Sequence, residues 1–131
     1  MAPMQAYILV FLGAGIGGAL RHAVNVASER LFGTGFPWGT LTVNVAGGFA
    51  MGLLAGWLAL RAGEGWTQSV RLFFAAGILG GFTTFSAFSL DAVVLWQRGE
   101  SIAAVAYVLA SVVLSIAGLL AGLFVVRVLT S

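Results

Sequence analysis

The charged residues of this chain are placed so that four long stretches carry no charge. The uncharged stretches cover residues 3–20, 31–60, 72–90 and 101–126. Each can hold the roughly 17 to 25 residues that an α-helix needs to cross a bilayer. The composition agrees, because 8% of the residues are charged whereas soluble domains carry about 25%. The charge pattern therefore predicts an all-α membrane protein with four transmembrane helices.

The four predicted helices use almost the whole chain, so we expect a single transmembrane domain over residues 1–131. The expected boundaries are about 4–26 for the first helix, 36–60 for the second, 68–96 for the third and 101–127 for the fourth. The amino end lacks a basic region, and no polar chain follows the first helix for export. We therefore interpret the first apolar stretch as a membrane span and not as a cleaved signal peptide.

The positive charge comes from arginine alone and is divided equally between the two sides of the predicted membrane. The two groups are Arg61, Arg71 and Arg127 on the side of the amino end, and Arg21, Arg30 and Arg98 on the other. An excess of Lys and Arg in cytoplasmic loops normally sets orientation. Without an excess, we expect insertion both ways round and an antiparallel, dual-topology homodimer. The alternative is an accidental tie. The arginines are scattered, so we expect no nucleic-acid partner.

Glycines recur four residues apart in every predicted span. They are Gly13 and Gly17 in the first span; Gly48, Gly52 and Gly56 in the second; Gly77 and Gly81 in the third; and Gly118 and Gly122 in the fourth. Small residues at this spacing let helix backbones approach closely in a membrane. The pattern predicts packing faces and names no function.

The stretch GGFTTFSAFS (residues 80–89) places glycines and hydroxyl side chains near the middle of the third span. Glycine costs a helix about 1 kcal/mol relative to alanine, and β-branched threonine loses rotamer freedom. We therefore expect a break near residues 80–84. Unwound carbonyls at such breaks commonly hold a cation. The alternative is a kinked helix whose hydroxyls bond to their own preceding carbonyls.

Phenylalanine recurs every third residue in the same stretch, at Phe82, Phe85 and Phe88. If the helix resumes there, neighbouring rings lie close to one face. A phenyl ring is negative on its face and positive at its edge. Ring edges in a narrow path would favour a small anion without the full charge that would trap it. The alternative is that the rings pack against lipid or a neighbouring helix.

Neutral polar side chains also lie inside the second and fourth spans. Asn44 has an amide that can donate hydrogen bonds to an anion. Tyr107, Ser111 and Ser115 recur at intervals of four, so their hydroxyls share one helical face. This arrangement predicts a track for something polar. The alternative is hydrogen bonding between helices, worth about 0.6 kcal/mol per contact in membranes.

Ionisable side chains are scarce inside the predicted spans. Asp91 lies in the outer part of the third span, and the other carboxylates belong to loops. Proton-coupled exchangers generally rely on buried ionisable residues, and this chain offers no strong candidate. It also has no cysteine and no Ser, His and Asp set for hydrolysis, so we expect no enzyme. Arg21 either anchors a helix end or raises the anion concentration in a pore vestibule.

Three motifs together resemble a known family. The segments GGALR (17–21), GTLTVN (39–44) and GGFTTFSAFS (80–89) closely resemble the bacterial fluoride channel family called Fluc or CrcB. The resemblance covers nearly the whole chain. It implies an antiparallel, dual-topology homodimer in the bacterial plasma membrane, the inner membrane of a Gram-negative cell. It also implies two fluoride pores, one structural sodium ion, and passive, selective export of cytoplasmic fluoride.

The resemblance also implies roles for individual residues. Phe85 and Phe88 correspond to pore phenylalanines whose ring edges face fluoride, and Asn44 corresponds to the pore asparagine. The other implied pore residues are Tyr107, Ser111, Ser115 and Thr40, with Arg21 as a vestibule candidate.

The sodium ion is implied to bind the backbone carbonyls of Gly80 and Thr83, each supplied twice by a symmetric dimer. Ala87 departs from the family pattern, which usually has threonine there, and this puts one local hydrogen bond in doubt. Phe82 occupies a variable position and stays outside the predicted site.

The expected function is therefore a fluoride-selective channel whose partners are fluoride, a second copy of the chain and membrane lipid. The main alternative is a small dual-topology multidrug exporter, which has similar size and helix count but would want a buried carboxylate. A second alternative is a noncatalytic assembly subunit held by its glycine faces.

Overall fold

The computed structural model describes residues 2–131, in which four long helices are joined by short connections. In chain order they are α1 (Pro3–Phe32), α2 (Trp38–Ala59), α3 (Thr67–Gln97) and α4 (Ser101–Thr130). Each helix is long and apolar enough to cross a membrane. The regular secondary structure of residues 2–131 is entirely helical. The prediction of an all-α membrane protein with four spanning helices is confirmed.

Large apolar side chains cover the outside of the bundle. Phe11 is 78% exposed and Ile102 is 87% exposed. Tyr107 and Val43, in contrast, are fully enclosed. A soluble protein rarely exposes so much contiguous apolar surface, whereas lipid chains cover it at no cost. The bundle therefore has a thin core and an outer surface suited to a bilayer.

Two helices that are not neighbours in the chain, α1 and α3, form one close pair. A Cβ added at Gly13 would lie 2.8 Å from Gly77 Cα, and one added at Gly81 would lie 2.9 Å from Ala14 Cα. Real side chains do not fit at such distances. The backbones approach this closely because glycine lies on both sides of the first contact and opposite alanine in the second.

The second close pair is α2 with α4. A Cβ at Gly48 would lie 2.6 Å from Ser115 O, and one at Gly52 would lie 3.1 Å from Gly122 Cα. The glycine spacing in the sequence therefore marks the packing faces correctly. The bundle consists of two glycine-lined seams, one between α1 and α3 and the other between α2 and α4.

α3 is divided into two helical halves. The first covers residues 67–82, and the second is Phe85–Gln97. Between them Thr83 and Thr84 are extended, with φ/ψ of −82°/155° and −151°/119°. The predicted break in the third helix is confirmed. It coincides with the two threonines, because Gly80 keeps a helical φ of −63° and Gly81 belongs to the first half and packs against α1.

The first half of α3 is also wound irregularly. Arg71–Leu79 adopts wide π-helical turns directly before the paired glycines. Turns of this kind are rare and are frequently found at functional sites. The irregular backbone of the chain is thus concentrated in α3, on both sides of residue 80.

α1 extends past the boundary expected near residue 26 and ends at Phe32. Gly33 follows with a φ of 77°, and its N–H donates to Glu29 O at 2.9 Å. A positive φ is accessible to glycine without steric cost, so Gly33 can end the helix and turn the chain toward α2.

Candidate functional site

A groove of about 420 Å³ runs between α2, α3 and α4 and opens to the outside of the chain. Most residues that the sequence predicted for a pore or a cation site lie along it. These are Asn44, Thr83, Phe85, Phe88, Ser111 and Ser115. The fold therefore brings together residues from three helices that are distant in the sequence. Thr40 and Tyr107 lie at one side of this groove and are described below.

The side chain of Asn44 holds the break in α3 in place. Its Oδ1 accepts from the Thr84 N–H at 2.8 Å, and its Nδ2 donates to Thr84 O at 3.1 Å. The two bonds satisfy both backbone groups of an extended residue, as a neighbouring strand would. The amide has a second N–H, so Asn44 keeps one donor beyond those that the fold uses.

Thr84 then starts the second half of α3. Its Oγ1 accepts from the Ala87 N–H at 3.1 Å, which is the usual contact of a helix N-cap residue. Ser86 Oγ lies 3.3 Å from the same oxygen. The hydroxyl groups in this stretch are therefore partly committed to the local backbone.

The break also changes the partners of two carbonyl groups. In a continuous helix Gly80 O would accept from the Thr84 N–H, and Thr83 O from the Ala87 N–H. Both donors are engaged elsewhere, by Asn44 Oδ1 and by Thr84 Oγ1. These two carbonyls, which lack their helical donors, are the ones predicted to hold sodium. Their oxygens suit that ion, since unwound carbonyls commonly coordinate Na⁺, and the sodium prediction fits the residues present.

Arg21 of α1 lies beside the same break. Its Nε donates to Gly81 O at 3.1 Å, and the side chain is partly buried. Gly81 O has lost its helical donor too, because the Phe85 N–H belongs to the start of the second half. Arg21 is therefore part of the support of the break. Its role in a vestibule stays a prediction.

A row of aromatic rings runs from the outside of the chain into its core. Phe85 is 77% exposed, whereas Phe88 is 9% exposed. The centroids of these two rings are 5.4 Å apart, as are those of Phe88 and Tyr107. Phe36 meets Tyr107 edge-on at 5.5 Å with an interplanar angle of 89°. The two predicted pore phenylalanines thus lie side by side, with the outer one uncovered.

The hydroxyl groups of α4 meet the deep end of this row. Tyr107 is 0% exposed and its hydroxyl donates to Asp91 Oδ2 at 3.2 Å. The side-chain hydroxyls of Thr40 and Ser111 lie close to that of Tyr107. Thr40 and Asp91 line a second cavity, of about 260 Å³, near the connection between α1 and α2. Tyr107 therefore lies next to Ser111 of the groove and next to Thr40 and Asp91 of this second cavity.

Ser111 is the most unusual member of the site. The residue is 5% exposed and lines the groove. Within residues 2–131, its Oγ is buried and has no hydrogen-bond partner. Most buried side-chain hydroxyls are paired, and one left unpaired costs about 1–3 kcal/mol. The groove wall thus contains a buried hydroxyl whose nearest polar neighbour is the Tyr107 hydroxyl, and the two do not form a hydrogen bond of normal geometry.

Comparison with known proteins places these features in a family. The family model described as "CrcB-like protein, Camphor Resistance (CrcB)" matches residues 8–123. The chain belongs to the CrcB family. Curated members of this family are named as ion channels, so the chain belongs to a family of channels and not of enzymes.

Several curated relatives within the CrcB family cover almost all of the chain. A "Fluoride-specific ion channel FluC" from Rhodopseudomonas palustris (strain BisB5) is 54% identical over 126 residues, which are 96% of this chain and 100% of the relative. A protein of the same name from Methylobacterium nodulans is 58% identical over 120 residues, 92% of this chain and 94% of the relative. The resemblance predicted from the three motifs is confirmed. The chain is accordingly a multi-pass protein of the bacterial plasma membrane.

Two contributors to this CrcB site were not predicted from the sequence. Asp91 was placed outside any site, but it accepts the Tyr107 hydroxyl. Thr84 was assigned to the break alone, although it also caps the second half of α3. A threonine immediately before a resumed helical segment is a recognisable cap signal. Ala87, the departure from the family pattern, has its N–H bonded to this cap.

Proposed function

We propose that the chain is a fluoride-selective channel through which cytoplasmic fluoride leaves the cell passively, by two pores of an antiparallel dimer. The CrcB relatives named as fluoride-specific ion channels support the ion. The groove between α2, α3 and α4 supports the path, because it is lined by neutral donors and aromatic rings.

The observation that supports this proposal best is the unpartnered hydroxyl of Ser111 in the wall of the groove. Fluoride is a small anion that needs hydrogen-bond donors once its water is removed. Ser111 Oγ, unpartnered within residues 2–131, and the second N–H of Asn44 are such donors. Neither brings a full charge, so an ion bound there can also leave.

The phenylalanines supply a second kind of contact. Phe85 and Phe88 line the same groove as Ser111, and the positive edge of a phenyl ring attracts an anion. The attraction of a ring edge for an anion is weak and acts only at short distance. This combination favours a small bare ion over a larger one such as chloride.

The open side of the groove supports a dimer, because a second copy of the chain could cover it. Phe85 is 77% exposed, and the groove opens to the surface of the chain. An ion path in a bilayer has to be closed against lipid on every side. A second, oppositely inserted chain would close the groove and place its own Phe85 in the wall. The equal division of arginines between the two sides favours such a pair.

The same arrangement would bring four carbonyls to one central sodium ion. Gly80 is exposed at the surface of α3, and a Cβ added there would meet no atom closer than Ala75 O at 3.5 Å. A partner can therefore approach this surface. Within residues 2–131, no cluster of His, Cys, Asp and Glu is placed to hold a metal, so main-chain oxygens are the donors available.

The multidrug-exporter alternative would need a carboxylate in the transport path. Asp91 is the carboxylate nearest to the spans' interior, and it accepts the Tyr107 hydroxyl beside the second cavity. It does not line the groove. Transport that is strictly coupled to protons and lost in Asp91→Asn would favour the exporter.

The test is ion efflux from liposomes containing the purified protein. Liposomes are loaded with potassium fluoride or, in a parallel sample, with potassium chloride, and valinomycin is added; we expect fluoride to leave rapidly and chloride to be retained. Chloride efflux at a comparable rate would refute the proposed selectivity.

Phe85→Ile and Phe88→Ile should each reduce fluoride efflux at least tenfold, because isoleucine is apolar and has no partially positive ring edge. Phe11→Ile is the matched control, since Phe11 is 78% exposed on α1 and lies outside the groove. Equal fluoride efflux from all three variants would show that the rings of Phe85 and Phe88 do not contribute to fluoride permeation.

A further inference from the structure

The hydrogen bond between Arg21 and Gly81 joins residues 60 positions apart at the break in α3. A charged donor bound to a backbone carbonyl is among the stronger hydrogen bonds in proteins. An arginine that only anchors a helix end would point toward lipid headgroups. This one points into the bundle, so its position needs another explanation.

The carbonyl that Arg21 binds lies among those proposed to hold sodium. Gly80 O and Thr83 O have lost their helical donors, and Gly81 O lies between them in the chain. Glycine restricts the orientation of its peptide groups less than other residues do. Without the hydrogen bond from Arg21, the Gly81 carbonyl would be free to turn and to compete with its neighbours for the cation.

We propose that Arg21 is a positioning residue for the cation site, and that it sets which carbonyls reach the ion and hence which size of ion is preferred. This inference rests on the sodium site of the proposed function. By binding Gly81 O, Arg21 keeps the set of ligands small and fixed. A carbonyl site discriminates between Na⁺ and K⁺ through its size and the number of its oxygens, and both depend on that constraint.

The charge of Arg21 acts differently from its hydrogen bond, and the two effects can be separated. A guanidinium near the site repels Na⁺ and K⁺ alike, since both carry one charge. Removing the charge changes the two affinities by the same factor and leaves their ratio unchanged. Releasing the Gly81 carbonyl changes the number and position of oxygens, and therefore changes the ratio. The Na⁺/K⁺ affinity ratio thus reports on positioning alone.

Two substitutions and one control provide the test. Arg21→Met keeps an unbranched side chain as far as the position of Nε but removes the donor and the charge. Arg21→Lys keeps the charge and lacks the Nε–H that bonds to Gly81. Arg30→Ala is the control, because Arg30 is an exposed arginine in the last turn of the same helix.

Cation affinity is measured from thermal unfolding of the protein in detergent, with Na⁺ or K⁺ titrated at constant ionic strength against a large organic cation. A ligand that binds the folded state raises the unfolding temperature according to its concentration and affinity. This readout does not depend on fluoride transport. Fluoride efflux is recorded in parallel under the same cations.

We expect the wild-type protein and Arg30→Ala to prefer Na⁺ over K⁺ by the same factor. The preference should fall about tenfold in Arg21→Met and about threefold in Arg21→Lys. An unchanged ratio in Arg21→Met, with a wild-type preference for Na⁺, would overturn the role of Arg21 and leave the channel proposal standing. If Arg21→Met does not fold, an unchanged ratio in Arg21→Lys has the same meaning. A wild-type protein that is indifferent to the cation would remove the sodium site and this inference together, whereas the efflux measurement still decides the channel.

Discussion

Asn44→Ala tests how the break in α3 is maintained. The substitution removes the acceptor of the Thr84 N–H at 2.8 Å and the donor to Thr84 O at 3.1 Å. Each group left without a partner costs about 1–3 kcal/mol. Thr84 is half-buried, so the low end applies, about 1 kcal/mol for each group and about 2 kcal/mol in total. That energy corresponds to roughly a 30-fold change in an equilibrium constant.

The assay is amide hydrogen exchange of the protein in micelles, resolved by residue. Exchange from a local opening reports the free energy of that opening. We expect the Thr84 amide to exchange about 30-fold faster in Asn44→Ala than in the wild type, on the basis of the hydrogen-bond energies above. Amides in the middle of α4 should keep their wild-type rates, because the helix is continuous from Ser101 to Thr130.

Asn44→Asp is the matched comparison. A carboxylate still accepts from the Thr84 N–H but cannot donate to Thr84 O, so exchange at Thr84 should rise less than in the alanine variant. Fluoride efflux should nevertheless fall in Asn44→Asp, because the carboxylate repels an anion in the groove. A Thr84 amide that exchanges at the same rate in the wild type and in Asn44→Ala would show that Asn44 does not support the break.

Three further results are expected. Ser111→Ala should unfold at or above the wild-type temperature, since no partner is lost within residues 2–131, yet its fluoride efflux should fall; an unstable variant would mean that the hydroxyl is bonded in the fold. Gly17→Ala should destabilise the protein by more than about 2 kcal/mol, because the added Cβ would lie 2.8 Å from Phe82 N. The control Gly18→Ala should leave the unfolding temperature unchanged, because a Cβ there meets no atom of the described chain within 4 Å. Thr84→Val should cost about 1 kcal/mol through loss of the cap on Ala87, and Thr84→Ser should restore it; equal stability of the two would exclude the cap.

The helices and the break could be predicted because their causes are local. A run without charges is sufficient to predict a span, and each of the four runs became part of a helix. The break was predicted within residues 80–84, where β-branched Thr83 and Thr84 adopt extended backbone. The neighbouring Gly81 stays in the helix, where it packs against Ala14 of α1 and its carbonyl accepts from Arg21. Those contacts are between helices, and no property of the stretch itself reveals them.

The partners of the polar side chains could not be predicted for a related reason. Asn44 bonds to a residue 40 positions away, and Arg21 to one 60 positions away. The donors of an amide or a guanidinium can bond to water, to an anion or to a backbone carbonyl, and residue type alone does not distinguish these partners. Only the glycine seams, which set how the helices sit against each other, decide which of these is present. Residue type and spacing indicated the groove, whereas the hydrogen bonds that shape it depend on the assembled bundle.

The interleaved pairing of the helices has a consequence for biosynthesis. Because α1 packs on α3 and α2 on α4, no two consecutive helices form a seam as they leave the ribosome. The first seam has to wait for α3, and the second has to wait until α4, the last helix, has been made. Each seam can therefore close only after its second helix has been made, and the glycine face of α2 lacks its partner until α4 is complete.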